Sequence, residues 1–160
     1  RLDAVHARIE KESLRPRVAC LEWLSPLYTA GHWVPDMVAA AGGIDALAEA
    51  GAASHKIDWD VFAASEPDVI VLMPCGFTVA RTKMELASLT SRPEWKDLPA
   101  VRRGQVYLVD ALSYFSRPGP RLIDGVEQLA AIFHPACFNH GLPEAVEQLT
   151  SDDIPTSMTR

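Results

Sequence analysis

The stretch Asp68-Val-Ile-Val-Leu-Met73 constrains this chain more than any other, because its five consecutive apolar residues leave no polar face and Pro74 closes it. A strand with one side in water alternates polar and apolar residues. A short run without alternation is buried on both sides, the signature of a central strand in a parallel sheet. It is far shorter than the roughly eighteen apolar residues of a membrane-spanning helix.

Parallel strands need long crossovers, usually helical, and the rest of the chain supplies them. Arg17-Val-Ala-Cys-Leu-Glu22 and Gln105-Val-Tyr-Leu-Val109 read as two more strands. Between and around them, the sequence predicts helices. Leu2, Val5 and Ile9 share one face of an amphipathic helix that ends before Pro16. Pro35 sits in the first turn of a helix over residues 36–41, which Gly42-Gly43 stops. Asp58 caps residues 59–65, and Thr78 caps a helix to about residue 89. Pro93 and Pro99 open short helical turns, and Pro120 opens a helix with Leu122, Val126, Leu129 and Phe133 on one face. Residues 26–35 and 44–56 are expected to be irregular, and the polar tail from Ser151 to fray. The fold class that follows is α/β: a three-layer, doubly wound, mainly parallel sheet flanked by helices, forming one Rossmann-like lobe.

Composition excludes several functions. Of the 160 residues, 48% are apolar and 22% charged, ordinary for a globular domain. A net charge of -6 and a pI near 5.3 argue against a nucleic-acid partner, which needs clustered Lys and Arg. Cys20, Cys75 and Cys137 show no CxxC spacing, so neither a zinc ribbon nor a thioredoxin-type motif is present.

Ligands of open parallel sheets bind in the crevice outside the carboxyl ends of the strands. Three loops leave those ends: Glu22 to Tyr28 and on to His32-Trp33, then Pro74-Cys-Gly-Phe77, then residues 110–120. Each mixes large rings with turn-forming residues. Trp23, Tyr28, Trp33, Phe77, Tyr114 and Phe115 are therefore expected to gather into a broad apolar platform, since wide exposed apolar surface usually meets a partner. Cys75 and Gly76 lie within it, and Ser25, His32, Ser116 and Arg117 supply polar groups to orient a large planar ligand. Trp59 and Trp95 fall away from this edge and read as packing residues.

At these residues a family resemblance is legible. Leu21-Glu-Trp-Leu-Ser-Pro-Leu-Tyr28, Gly31-His-Trp-Val-Pro35, Pro74-Cys-Gly-Phe77, Gly104-Gln-Val-Tyr107 and Ser116-Arg-Pro-Gly-Pro-Arg121 together resemble the C-terminal lobe of cobalamin-type substrate-binding proteins of ABC importers. That group also takes iron-siderophore complexes. The resemblance implies a ligand held between two lobes joined by a long helix, and no enzymatic activity. Residues 1–15 would then be the end of that helix, 16–140 the ligand-binding lobe and 141–160 a tail, with the N-terminal lobe lying outside this sequence. It implies cobalamin or a related corrinoid as cargo rather than a resident cofactor, ABC permease subunits as partners, and a periplasmic or extracellular location reached through the transporter. A cytoplasmic binder or sensor stays open. In the resembled group acidic residues dock on the permease, a role open to Asp36, Glu49 or Glu85.

Two alternatives stand beside this. The same fold takes ferric siderophores or haem, but anionic iron complexes call for several basic residues, and the loops offer only Arg117 and Arg81. A metal- or thiol-dependent hydrolase would use Cys75 as nucleophile and His32 as base, which requires the two within hydrogen-bond reach. His32 is also a possible axial metal ligand, against the plainer reading of a hydrogen-bonding loop residue. Arg117 either meets a polar group of the ligand or braces its own loop.

Overall fold

The computed structural model describes residues 1–138, 141–150 and 153. Three parallel strands form its centre: β1 (Arg17–Leu24), β4 (Val69–Leu72) and β5 (Val106–Val109). β4 lies between the other two, pairing Val18 with Val69 on one side and Ile70 with Val106 on the other, and every residue of it is buried. The apolar run thus occupies the central position its pattern demands. Burying each such side chain contributes about 1.5–3 kcal/mol relative to exposure.

Three strands were not expected. β2 (Leu27–Thr29) folds back antiparallel on the end of β1, so part of the 26–35 segment is sheet rather than loop. β3 (Ile44–Asp45) runs parallel to the start of β1. β6 (Val146–Gln148) pairs antiparallel with β5, which puts part of the supposed tail into the sheet. Each is two or three residues long, too short for periodicity to register. The segment from Ser151 lies outside the described residues apart from Asp153.

Helices cover both faces. On one face α1 (Leu2–Ile9), α2 (Val34–Ala40) and α8 (Leu122–Phe133) pack Val5, Met37, Val38, Val126 and Leu129 onto Cys20, Val71 and Val109. On the other, α3 (Trp59–Ala64), α4 (Val79–Glu85), α5 (Ala87–Thr90), a 3-10 turn (Pro93–Asp97) and α6 (Pro99–Arg102) pack Phe62, Leu86, Leu89 and Trp95 onto Leu21, Ile70 and Leu108. Trp95 is a core residue, and Trp59 packs partly buried beside Phe62, both as expected. Thr78 caps α4 by accepting the Arg81 N–H, although the helix expected to reach residue 89 divides at Leu86. Asp58 occupies the N-cap of α3 without a side-chain bond to it.

The winding changes direction at β1. The chain leaves β1 through α2 on one face to reach β3, then crosses under the sheet through α3 on the opposite face to reach β4 on β1's other side. Such a reversal parts the loops at the carboxyl ends of the two strands and opens a crevice between them. No described helix is long and apolar enough to cross a membrane.

Candidate functional site

The crevice between β1 and β4 holds a cavity of about 210 Å³ lined by Glu22, His32, Trp33, Met73, Cys75 and Ser116 among others. Its walls follow from local sequence. Pro74 ends β4 and Gly76 turns the chain at a φ of 77°, a conformation open to glycine at no steric cost. The Gly76 N–H then donates to Ser116 Oγ at 2.9 Å, tying the second loop to the third. The Cys75 N–H donates to the Glu22 carbonyl at 3.0 Å and ties it to the first.

His32 stands on the opposite wall at a φ of 58°, a left-handed conformation that costs a non-glycine residue free energy. Tertiary bonds hold it there. Its N–H donates to the Ala52 carbonyl at 2.6 Å, and its own carbonyl accepts from the Gly51 N–H at 3.0 Å. The 52–54 backbone lies so close that a Cβ on Gly31 would meet Ser54 N at 2.3 Å, so only glycine fits beside it. The imidazole is exposed, with its ring centre 5.8 Å from that of Trp33.

The rings expected to form one platform divide into three groups. Trp23 and Phe77 meet edge to face with ring centres 5.2 Å apart, and Trp23 is 39% exposed. The Arg81 guanidinium covers Phe77 at 5.2 Å and pairs with Glu85 across one helical turn. Tyr28 is exposed and lies opposite Trp23 in the β1–β2 ladder, which puts both on one side of the hairpin. The second group turns inward. Trp33 is partly buried and its Nε1–H donates to the Phe115 carbonyl at 2.9 Å, while the Phe115 ring is 4% exposed and belongs to the core. Phe115 still contributes to the cavity lining, but its ring, which follows α7 (Ala111–Tyr114), packs mostly against α8 rather than standing in the open as expected.

Tyr114 forms the third group by itself. It lines a separate groove of about 510 Å³ between α1 and α8, beside Val5, Arg8 and Gln128. Ser25 also lies elsewhere, in a crevice of about 160 Å³ with Trp59 and Arg92. Arg117 is exposed and makes no hydrogen bond or ion pair among the described residues, so the loop-bracing role is not seen. Sequence reasoning passed over Glu22 and Met73 as site residues. Each lies at the carboxyl end of its strand, the position that should have marked them.

His32 and Cys75 line the same cavity, but no hydrogen bond joins them: the bonds of each run to backbone groups of other residues. Among the described residues, no group of three or more His, Cys, Asp or Glu side chains is arranged to hold a metal ion.

A parallel α/β lobe with an aromatic crevice at its topological switch point is the architecture of a ligand-binding lobe. Residues 1–112 match the family described as "Periplasmic binding protein", and the chain belongs to that family. Solved structures share the fold. A periplasmic heme-binding protein from Pseudomonas aeruginosa aligns with 94% of this chain and 53% of its own length, at 21% identity and a TM-score of 0.72. The periplasmic heme-binding protein RhuT from Roseiflexus sp. RS-1 aligns over 85% of this chain and 52% of its own, at 26% identity and a TM-score of 0.66. The periplasmic vitamin B12 binding protein BtuF of Vibrio cholerae covers 84% of this chain with 50% of its own, at 19% identity and a TM-score of 0.65. The chain thus spans about half the length of the solved relatives it matches. No curated protein matches it. The solved relatives are named for binding heme or vitamin B12, and nothing among them favours the hydrolase alternative.

Proposed function

We propose that this chain is one lobe of the substrate-binding component of an ABC importer and that its ligand is cobalamin or a related corrinoid. The Trp23–Phe77 pair, with Trp23 exposed and Phe77 half-buried on the loops whose neighbouring residues Glu22 and Cys75 line the β1–β4 cavity, carries this reading. Paired rings on a loop edge suit the flat face of a macrocycle. A cavity of about 210 Å³ admits only the edge of so large a molecule, so the remaining contact falls to an opposing lobe. The cation at Arg81 is already engaged by Phe77 and Glu85, which leaves Arg117 to meet a polar or phosphate group and favours a nearly neutral ligand. The working location is the periplasm or the extracellular face, with permease subunits as partners. Titrating the intact two-lobe protein with cyanocobalamin should quench tryptophan fluorescence at micromolar ligand or below; an unchanged signal rejects the corrinoid.

Haem is the second reading, favoured by the exposed His32 imidazole at the cavity wall. Haemin would then give a Soret shift that His32→Ala removes.

A further inference from the structure

The cavity wall carries one feature that neither reading uses. Val18 and Cys20 turn to the α2/α8 face of the sheet, and Glu22, at the register irregularity of β1 between Leu21 and Trp23, lines the crevice together with Val34 and Met73 of that same face. A residue half-buried among Trp33, Val34, Met73 and Phe115 would ordinarily be apolar, because a charge there loses hydration. Its carboxylate makes no hydrogen bond and no ion pair among the described residues. Among the described residues no lysine or arginine lines the cavity, and the titratable groups facing Glu22 across it are His32 and Cys75. Arg81 is committed to Glu85, as described.

From this placement we infer that Glu22 is the charge-selectivity residue of the crevice: it accepts hydrogen bonds from ligand N–H donors and disfavours any ligand that brings an anionic group to the same wall. The inference rests on the crevice being the ligand site, as proposed above; the N–H contact applies to a corrin, while for haem only the repulsion applies and turns its carboxylates away from this wall. A corrin edge bearing primary amides satisfies the carboxylate. A propionate or a siderophore catecholate leaves two like charges facing each other in a poorly hydrated space, which is discrimination by repulsion.

Two ligand pairs of matched shape and different charge test it on the intact two-lobe protein. One is cyanocobalamin against a cyanocobalamin monocarboxylate in which one side-chain amide has been hydrolysed; the other is haemin dimethyl ester against haemin. In the wild type, the member of the binding pair that lacks the free carboxylate should bind at least about fivefold more tightly, and Glu22→Gln should bring that ratio within about twofold. Because the readout is a ratio within one protein preparation, a uniform loss of folded protein in E22Q leaves it unchanged. Equal ratios in wild type and E22Q overturn the assignment. A charge ratio seen only with the haemin pair sinks the corrinoid reading and keeps Glu22 in its role, whereas cyanocobalamin binding without a charge ratio does the reverse. Binding of neither pair sinks both.

Discussion

The two aromatic corners of the crevice are built from similar residues and do different work. At one, Trp33 and Phe115 are fixed by an indole hydrogen bond and by packing on α8, with their rings largely withdrawn from solvent. At the other, Trp23 and Phe77 touch each other, an arginine covers the half-buried Phe77, and Trp23 stays exposed. Rings on loops are thus of two kinds. Those with a buried polar or apolar partner across the fold serve as framework, and those whose partners are exposed side chains remain available to a ligand.

The largest expected difference between the corners is in stability. Phe115→Ala removes a core ring and should cost about 3–5 kcal/mol in denaturant unfolding. Trp23→Ala should stay within about 1 kcal/mol of wild type. Equal losses would erase the distinction. The affinity of the intact protein should respond the other way. Trp23→Ala or Phe77→Ala should weaken macrocycle binding about tenfold or more, measured by fluorescence or calorimetric titration.

Trp33→Phe sharpens the comparison. It keeps an aromatic ring but loses the Nε1–H bond to the Phe115 carbonyl and part of the packed indole, so stability should fall by about 1–3 kcal/mol, less than for Phe115→Ala.

The smallest effect lies away from both corners, at Asp45 beside the start of β1. Burial pushes its carboxyl up from the ordinary 3.8, against the downward pull of the Leu47 and Ala48 N–H groups that it accepts, and its Oδ2 is buried without a partner. With the folded value above the unfolded one, the native state holds the proton more tightly. The resulting stability is fully present below pH 3.8 and is lost as pH rises through the raised value. Asp45→Asn keeps an oxygen for both N–H groups. It should flatten this pH dependence in unfolding scans, while Trp23→Ala leaves the dependence intact.

Much of this architecture is legible in sequence where local chemistry decides. The alternation-free run at 69–72 marks a central strand, the Thr78 hydroxyl marks a helix start, and the spacing of Val126, Leu129 and Phe133 marks the buried face of α8. Strands of two or three residues escaped, because β2, β3 and β6 exist only through pairing with β1 and β5. The candidate site divides the same way. The loops bearing its rings are identifiable from strand ends, and Glu22 and Met73 could have been read from the same rule.

The direction of each ring could not be read. Trp33 and Phe115 are 82 residues apart, and their inward turn follows from the crossovers that bring α2 beside α7 and α8. Tyr114, next to Phe115 in the chain, faces the α1–α8 groove instead. The sequence by itself determined a parallel α/β lobe with aromatic loops at the carboxyl ends of its strands, because hydrophobic period and turn chemistry act over a few residues. Only the tertiary structure decided which of those rings became framework and which stayed open, because burial of a side chain depends on neighbours that the fold alone brings within reach.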